Sequence, residues 1–589
     1  MGRIVETKIT RFDGGLSEDK RVKDLSKFSL TKHFDVFTYP HKLVPYCSTE
    51  ADETKTYKIV KFLYAPWLSV GAYRLYGFGV IVGETKTKVY SYEIDSATFP
   101  PTNHWEAPSK GESAVAIRNT DVFFYYKNYI YMWAGSRYLI RFDTTNSDNF
   151  NDNYYDATTF TTVVQPVHHP ADDIAYFFHD NFVSKQNGAA AFEPKVLTLP
   201  SQFKIVSACP YGSYLAIGCI TKGIFNVQSI VFLWDRDSDL TTLTDRIDFG
   251  EGALKYLANL NNKLIGIVDF YTQGSLAEFP FGMRKGKLII KQASGNFAMP
   301  LNELNTDSTN TMDMGSNCII KNNKLYFSLS LTLNSDTRLG IWCVDENGKI
   351  ALDFVEEEAT SYQGIYIAGN MWWIAHSGDG SVNRIDNILA PSSTLPSIYE
   401  SLIFNTGDSD LTKKLVGATV MTEKLPSSSR VILKYRKDGA TAWKPIFVNV
   451  LNNSISHGAI NFESLTATMT IATPAVVLLG DGDGNLLTHG LVAGDKFYFT
   501  TTGALPTGVS ADKVYYVISA GLTSTAFEFS ATLGGSAINT SGSQSGVHTL
   551  NFIDGLGEHK EIEFRIESYG GAVITGLKFK EEIIPKELY

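Results

Sequence analysis

The densest group of side chains that could bind a metal ion lies in one short stretch that also contains two prolines. It holds three adjacent pairs: His168 and His169, Asp172 and Asp173, His179 and Asp180. A site of two histidines and a carboxylate needs such side chains on convergent positions. The prolines favour a loop between two groups of strands, so we interpret the pairs as solvated loop polarity. Whether His168, His169 and His179 bind a metal ion stays an open question at this point.

One acidic segment begins like a calcium-binding loop, with Asp481, Asp483 and Asn485 at alternate positions. A loop of the EF-hand type also needs Gly at its sixth position and a bidentate Glu at its twelfth. Leu486 and Val492 stand there instead. The pattern therefore fails, and we interpret the segment as a tight β-turn.

Asp438 and Gly439 lie in YRKDGATAW, a segment close to the Asp-box turn of sialidase propellers. That turn has one residue between its Asp and its Gly, whereas these two are adjacent, so an Asp-Gly hairpin is favoured. Ser377–Ser381 also predicts a turn. The chain has no G-x-S-x-G elbow, phosphate-binding loop or H-E-x-x-H motif. We predict that it is not an enzyme, with no catalytic, cofactor-binding or metal-binding residues and no cofactor.

The composition indicates strands. Aromatic residues make up 13 % of the 589 residues, and 48 glycines supply turns. Aromatic side chains fit the pleated, half-buried surface of a sheet. The net charge is -10 and basic residues are not clustered, so no sequence-specific binding of nucleic acid is expected.

Five cysteines are scattered without a C-x-x-C pair: Cys47, Cys209, Cys219, Cys318 and Cys343. We therefore predict neither a disulfide framework nor a zinc site. Most of the cysteines are expected to be small buried side chains. The N-terminus lacks the apolar core of a signal peptide. No apolar run approaches the ~20 residues of a membrane helix. The sequence predicts a chain made in the cytoplasm without membrane insertion.

One pattern recurs over residues 57–395: a strand, a turn that often carries Asn or Gly, an aromatic-rich strand, and a third strand that ends on Asp. Val122–Asp143 shows it most clearly. Such a meander cannot bury both of its faces alone, and radial stacking solves this problem. We predict a β-propeller of five to seven blades. A stack of β-sandwiches is the competing fold.

The remaining residues predict smaller β domains, so that the chain as a whole is all-β. Alternating strands at 396–463 and 553–589 indicate an antiparallel β-sandwich that follows the propeller. Between them, 464–552 is poor in charge and rich in Gly and Thr, which predicts an inserted small β-barrel or Ig-like module. Because its strand pattern is self-contained, we expect its removal to leave the remainder folded.

Residues 1–56 are polar and predict an extended N-terminal arm, with one short helix at Ser17–Lys27. The arm carries both signs of charge between positions 18 and 24, which favours docking on a neighbouring subunit. A flexible, dispensable terminus is the alternative. Deletion of residues 1–30 is expected to leave a folded protein that no longer assembles.

Within the inserted module, His489–Thr549 contains HGL-x-x-GD, TTTGALPTG, YYVI and SG-x-x-SG-x-HT. It closely resembles a small β module of phage and prophage structural proteins, where the module occurs in tails and fibres. The order of propeller, sandwich strands and final paired strand also resembles propeller-bearing tail proteins, such as the nozzle proteins of short-tailed phages.

The resemblance implies a structural component of a bacteriophage tail, at the nozzle, the tail tip or a hub-like ring, and a location in the virion. It implies a symmetric homo-oligomeric ring, such as a hexamer, around the tail channel, with other tail proteins as partners. It implies no catalytic residues. Two alternatives stay open: a tail adhesin that binds a host receptor or surface glycan, and a tail-borne glycan hydrolase.

Overall fold

The computed structural model describes residues 3–584 except 22, 47, 56, 68–71, 82–86, 94–111, 114–120, 135–136, 145–149, 158–161, 189, 223–226, 238–244, 272–285, 307–310, 334, 357–358, 369–370, 379–382, 391–394, 406–409, 427–428, 447–457, 460–463, 481–485, 487–490, 492, 512, 524 and 553–557. Every element of regular secondary structure assigned in this part of the chain is a β-strand. Consequently, it contains no helix long and apolar enough to cross a membrane. The chain divides into two compact units, 49–389 and 1–48 with 390–589.

Five strands precede the first propeller sheet: β1 (Arg3–Ile9), β2 (Phe28–Lys32), β3 (Phe34–Asp35), β4 (Val44–Pro45) and β5 (Ser48–Lys55). The strands of the propeller then follow in chain order: β6 (Tyr57–Trp67), β7 (Ala72–Ile81), β8 (Thr87–Glu93), β9 (Glu112–Ser113), β10 (Val122–Tyr126), β11 (Tyr129–Ala134), β12 (Tyr138–Asp143), β13 (Phe150–Asp156), β14 (Val163–His169), β15 (Ile174–His179), β16 (Phe182–Gln186), β17 (Glu193–Thr198), β18 (Phe203–Tyr211), β19 (Tyr214–Thr221), β20 (Gln228–Trp234), β21 (Arg246–Glu251), β22 (Ala253–Leu260), β23 (Lys263–Tyr271), β24 (Gly286–Ser294), β25 (Phe297–Thr306), β26 (Thr311–Lys321), β27 (Lys324–Leu333), β28 (Asp336–Val344), β29 (Ile350–Phe354), β30 (Ala359–Ala368), β31 (Met371–Gly378) and β32 (Asn383–Ala390).

The described strands of this unit form seven four-stranded antiparallel blades, β6–β9 being the first and β10–β13 the second. Blades four and five, β18–β21 and β22–β25, also share one parallel bridge, Asp248 to Phe297. The first strand of each blade contacts the first strand of the next, and β30 of the last blade contacts β6 of the first. The predicted propeller is thereby confirmed, with seven blades, and the alternative of stacked sandwiches is wrong.

The last blade takes its outer strand from the other end of the unit. Its order is β30-β31-β32-β5, so β5, which precedes the first blade in the chain, completes it. This explains why the repeat pattern of the sequence ends on a three-stranded meander.

Asn-Asn turns connect the first two strands of two blades. Asn261 and Asn262 have φ of 51° and 61°, and Asn322 and Asn323 have φ of 50° and 57°. Two-residue hairpin turns of type I′ require positive φ at both turn residues, and Asn tolerates this conformation better than most residues. The Asn-bearing turns expected from the sequence are confirmed.

The second unit adds these strands: β33 (Ser397–Ser401), β34 (Lys413–Thr422), β35 (Arg430–Lys437), β36 (Lys444–Ile446), β37 (Gly458–Ala459), β38 (Ser464–Met469), β39 (Val477–Gly480), β40 (Lys496–Thr501), β41 (Tyr515–Val517), β42 (Ala526–Phe527), β43 (Phe529–Ser530), β44 (His548–Phe552), β45 (Glu558–His559), β46 (Ile562–Tyr569) and β47 (Ile574–Ile583).

Two sheets form the sandwich. One has the order β1-β47-β34-β37, with β45 also paired to β34, and the other has the order β2-β33-β46-β35-β36. Phe564 of β46 and Phe579 of β47 meet between the sheets with ring centroids 4.7 Å apart. The expected pairing of the strands around residues 413–437 with those at 559–583 is confirmed.

The prediction of an extended arm is wrong for the described part of residues 3–46. β1 pairs with β47 along its whole length, and β2 pairs with β33. Phe12 and Phe28 are buried against the ring of Tyr399, at centroid distances of 5.3 and 6.0 Å. No helix forms within the described part of Ser17–Lys27. The polar composition of the segment predicted an arm because only a small share of its side chains is apolar, and these side chains anchor it.

The sandwich is therefore discontinuous in sequence. Its strands come from before the propeller, from between the propeller and the inserted module, and from after the module. The predicted order of a propeller followed by a sandwich needs this correction: both the propeller and the module are insertions into the sandwich.

The inserted module is a small barrel. Its sheet has the order β42-β39-β38-β44-β40-β41-β43. The first and last strands of that order are consecutive in the chain and separated by Glu528 alone, so the sheet closes on itself. Phe497, Phe499, Tyr515 and Phe529 fill the interior.

Candidate functional site

One group of charged and polar side chains connects the hairpins of blades two, three and four. Lys127 lies in the β10–β11 turn, the third blade contributes its β14–β15 turn, and Arg236 follows β20 of the fourth blade. We call this group the hairpin cluster; it comprises Lys127, His168, His169, Asp172, Asp173, Tyr176 and Arg236.

Asp173 forms the outer half of the hairpin cluster. Lys127 Nζ lies 2.6 Å from its Oδ2, and His168 Nε2 lies 2.8 Å from its Oδ1. The hydrogen bond from Lys127, and then that from His168, lowers the pKa of Asp173. The same bond raises the pKa of Lys127. Because these side chains are largely exposed, solvent screens the pairs, and they contribute little to stability.

Asp172 forms the inner half. Arg236 Nη1 lies 2.5 Å from its Oδ2, and the Tyr176 hydroxyl donates to the same oxygen at 2.7 Å. Burial, and then the hydrogen bond to Asp172, raises the pKa of Tyr176. Asp172 thereby joins the third blade to the fourth.

His169 is buried between these groups. Its Nε2 lies 3.1 Å from the carbonyl oxygen of Tyr214, which can only accept, so Nε2 carries the proton. Its Nδ1 accepts from Arg236 Nη1 at 3.3 Å and from the Ala171 amide at 3.3 Å. Burial lowers the pKa of His169, which keeps the ring neutral. The lone pair that a metal would need is already used.

His179 lies away from the hairpin cluster. In the β14–β15 ladder Val163 faces His179, whereas His169 faces Ile174. The six residues from Ile174 to His179 span about 16 Å of strand. Burial among rings lowers the pKa of His179 to about 4, and its ring lies 5.5 Å from that of Trp133. The structure thus does not bring His168, His169 and His179 together.

Asp180 is a turn residue. Its Oδ1 accepts from the amide of Thr162 at 3.1 Å, and its φ is 50°. Across the residues that the structure describes, no group of three or more His, Cys, Asp or Glu side chains is arranged to hold a metal ion. The hairpin cluster is a network of ion pairs and hydrogen bonds between blades, and its outer half is solvated, as predicted. The predicted loop between two groups of strands is wrong, because the stretch is the β14–β15 hairpin of one blade.

The other motifs are turns or lie outside the described residues. Asp438 and Gly439 have φ of 49° and 74° and form the predicted turn after β35. The connection to β36 extends over 438–443, so it is longer than a two-residue Asp-Gly hairpin. Asp438 Oδ1 also accepts from the amides of Lys560 and Glu561, at 2.8 and 3.0 Å. Asp481, Asp483, Asn485 and Val492 lie outside the described residues, as do three positions of Ser377–Ser381.

The four cysteines that the structure describes are free thiols. Cys209, Cys219 and Cys343 are buried, as predicted, and Cys318 is half-buried. Burial raises the pKa of Cys209 and of Cys219, which disfavours the reactive thiolate.

A second charged group was missed in the sequence. It covers the side of the sheet β2-β33-β46-β35-β36 that faces away from Phe564. We call it the ionic face; it comprises Glu400, Lys434, Arg436, Glu563, Arg565 and Glu567. Its signal was present, because Glu563, Arg565 and Glu567 alternate with apolar residues along β46. Alternate positions of a strand share one face of the sheet.

The buried charged side chains of the ionic face form close ion pairs with one another. Lys434 Nζ lies 2.8 Å from Glu567 Oε1, and Arg565 Nε lies 3.0 Å from the same oxygen. Arg436 Nη2 lies 2.7 Å from Glu563 Oε2. These contacts fix the register of the sheet, because each buried charge requires its own partner.

Further contacts of the ionic face reach the N-terminal segment and the β35–β36 turn. Lys20 Nζ lies 3.7 Å from Glu563 Oε2. The Arg436 guanidinium stacks 4.3 Å from the centre of the Trp443 ring.

Among the described residues, an ion pair and a shared apolar contact join the barrel to the sandwich. Lys444 Nζ lies 2.8 Å from both carboxylate oxygens of Asp495. Ile432 of β35 and Tyr569 of β46 belong to the buried apolar cluster of the barrel. Asp495 is the Asp of the HGL-x-x-GD motif, which therefore has a role in anchoring the barrel.

No family model and no curated protein matches the chain. Many solved structures are similar to part of it, and three of them illustrate the likeness. The computationally designed Ika8 protein is 11 % identical with a TM-score of 0.30, over 57 % of this chain and 98 % of that one. The β-propeller domain of Cps50 (Swd1) from Myceliophteria thermophila is 10 % identical with a TM-score of 0.35, over 58 % and 100 %. A chain of the mitotic checkpoint complex is 11 % identical with a TM-score of 0.31, over 59 % and 97 %.

Proposed function

We propose that this protein is a structural subunit of a bacteriophage tail, at the nozzle, tail tip or a hub-like ring. Its role is to hold shape and to make contacts, not to catalyse a reaction. It acts in the virion as a homo-oligomeric ring, such as a hexamer, with other tail proteins as partners.

The observation that carries the proposal is the discontinuous sandwich with its two insertions. The chain runs from the sandwich into the propeller after β2 and returns to the sandwich at β33, and these two strands are paired neighbours. The barrel leaves and re-enters between β37 and β45, which both pair with β34. A scaffold that presents two modules from adjacent strands suits a subunit whose surfaces contact several partners.

The barrel supports the phage origin through its sequence. The elements that resemble the phage and prophage module lie in or beside its strands, with YYVI at β41. Asp495 of its first motif binds Lys444 of the sandwich. The motif therefore has a structural use here, which fits a decoration module carried by a tail protein.

The charge distribution supports a structural role. The hairpin cluster and the ionic face use carboxylates, lysines and arginines as partners of one another. An acid or base in catalysis needs instead to reach a substrate. These two groups, as arranged, serve to connect blades and strands.

The test is whether the chain is part of the particle. Virions of a phage that encodes the chain are purified, and their proteins are identified and counted by mass spectrometry. We expect the chain at a fixed number of copies per particle, with density for a seven-bladed propeller in the tail by cryo-electron microscopy. Its absence from purified virions would refute the proposal.

The alternatives give different results with the purified protein. A tail adhesin would bind isolated host cell-wall polysaccharide, and a hydrolase would release reducing ends from it. We expect neither turnover nor saturable binding. Turnover that a single carboxylate substitution abolishes would make the protein an enzyme.

A further inference from the structure

β1 is an edge strand whose outer side is open in the part of the chain that the structure describes. It pairs only with β47, from Arg3 opposite Ile583 to Ile9 opposite Leu577. The amide and carbonyl groups on its other side point away from that partner. Such a row of unpaired groups is a template for a further strand.

β1 lacks two of the usual protections of an edge, a proline and a β-bulge, although Glu6 and Lys8 give it exposed charges. It contains no proline, and its ladder with β47 runs through seven residues without a register shift. Outer strands of the propeller are protected instead: β17 contains Pro194, and β25 contains Pro300 beside a register shift. The exposed Ile4 at 61 % adds an apolar side chain to the open edge.

We propose that β1 pairs antiparallel with β1 of a second copy of this chain, with Thr7 opposite Thr7 across a two-fold axis. This register aligns Val5 with Ile9 on the face that is directed into the sandwich. On the other face it aligns Glu6 with Lys8. By symmetry each of these pairs occurs twice.

The side chains favour this register over its neighbours. Opposite charges and paired threonines across two antiparallel strands are stabilising, whereas like charges that face each other are destabilising. A register centred on Glu6 would place two glutamates opposite each other. One centred on Val5 would leave Glu6 opposite Ile4. Only the register centred on Thr7 gives each charged residue of the paired segment an opposite charge.

The contact is a property of the free chain and goes beyond the proposed tail role. A two-fold interface is isologous and closes a dimer, whereas a ring around a channel needs heterologous contacts. The two-fold contact is therefore distinct from the contacts that would close a ring. Because an edge of a few paired residues is a small interface, we expect a dissociation constant of roughly micromolar order.

The test uses charge reversal and sedimentation velocity. Lys8→Glu places two pairs of carboxylates across the two-fold axis, and we expect dimerisation to weaken about tenfold or more. The fold should not suffer, since residue 8 faces Lys578 within the chain. Position 8 is the one to vary, because Glu6 already lies 3.0 Å from Lys578 Nζ and 3.6 Å from Lys580 Nζ within its own chain. A lysine at position 6 would weaken the pairing of β1 with β47 as well as the dimer.

The matched control is Lys424→Glu, the same charge change at an exposed turn of the same unit. It should leave dimerisation unchanged. A wild-type chain that is monomeric at about 100 µM, well above the expected constant, would overturn the proposal. So would a dimer that survives Lys8→Glu. Neither result bears on the presence of the chain in virions, so the two proposals fail separately.

Discussion

Lys434 and Glu567 form an ion pair that is almost wholly buried in the sandwich, with 2.8 Å between Nζ and Oε1. Removing both charges from water is costly, and their mutual attraction compensates for this cost only while both are present. Glu567 also pairs with Arg565, so two cations of the ionic face depend on this one carboxylate.

Replacing Glu567 by Ala should therefore destabilise the sandwich strongly. Lys434 and Arg565 would lose the same carboxylate, and breaking a buried pair costs about 3–5 kcal/mol. Differential scanning calorimetry should show a lower unfolding transition, and hydrogen exchange should show faster exchange along β46.

Two controls separate burial from charge. The double variant Lys434→Met with Glu567→Leu should recover most of the loss, since Arg565 keeps Glu400 at 3.4 Å. Asp156→Asn, which breaks the half-exposed pair with Arg137, should change stability little. Equal losses from Asp156→Asn and Glu567→Ala would refute the importance of burial.

Propeller stability should depend on pH through His179. Its pKa is lowered to about 4 in the folded chain, against ~6.5 for an ordinary histidine. Between these values the unfolded chain binds a proton that the folded chain does not, so stability falls as the pH is lowered from ~6.5 towards 4. His179→Gln should reduce the slope of thermal stability with pH in this window.

The reference for this effect is the slope of the unsubstituted chain, measured under the same conditions. An unchanged slope in His179→Gln would mean that the acid sensitivity comes from elsewhere.

Tyr176→Phe should loosen the third blade from the fourth. The substitution removes the hydroxyl that donates to Asp172 and leaves the ring in place against Trp234. A hydrogen bond of this kind contributes about 1 kcal/mol, or somewhat more to a carboxylate. Urea unfolding followed by tryptophan fluorescence would measure the loss. The exposed Lys127→Met should have a much smaller effect, and a larger one would contradict this ranking.

Deletion of residues 1–30 should unfold the sandwich. The sequence alone predicted a folded protein that fails to assemble, but the deletion removes β1 and part of β2, and with them Phe12 and Phe28. We expect insoluble expression, with a protease-resistant core that corresponds to 49–389. A soluble truncated chain with an intact sandwich would show that β47 does not need β1.

Deletion of the barrel should be tolerated less well than its self-contained pattern predicts. Ser464 faces Asn551 in the ladder of β38 and β44, so a short Gly-Ser bridge can span the ends. The propeller should stay folded, but Ile432 and Tyr569 would become exposed. We expect a lower thermal transition of the sandwich, and Ile432→Thr in the deleted chain should improve its solubility. An unchanged transition would mean that the contact adds no stability.

Local patterning predicted much of the fold. Alternation such as that of β18, and Asn-Asn or Asp-Gly turns, are local signals that tertiary contacts did not override. The pairing of β34 with β47 and of β35 with β46 was also accessible, because the insert differs in composition. What local patterning could not supply was the pairing partner of a strand hundreds of residues away. Hence β5 was not assigned to the last blade, nor β1 and β2 to the sandwich.

The site residues show the same limit. His168 and Asp173 are close in sequence, and the structure keeps them together. Arg236, the partner of Asp172, comes from another blade, so its role depends on the ring of blades. The ionic face was visible as alternation in β46, but its burial depends on what covers the sheet.

The pairing of β1 with β47 determines how the chain would respond to tension on its ends. Arg3 lies opposite Ile583, so both ends of the described chain emerge from the same end of one ladder. A pull on them would open that ladder rung by rung instead of shearing all of its hydrogen bonds at once. The propeller lies outside this path of force until β1 has been peeled away and β2 has parted from β33.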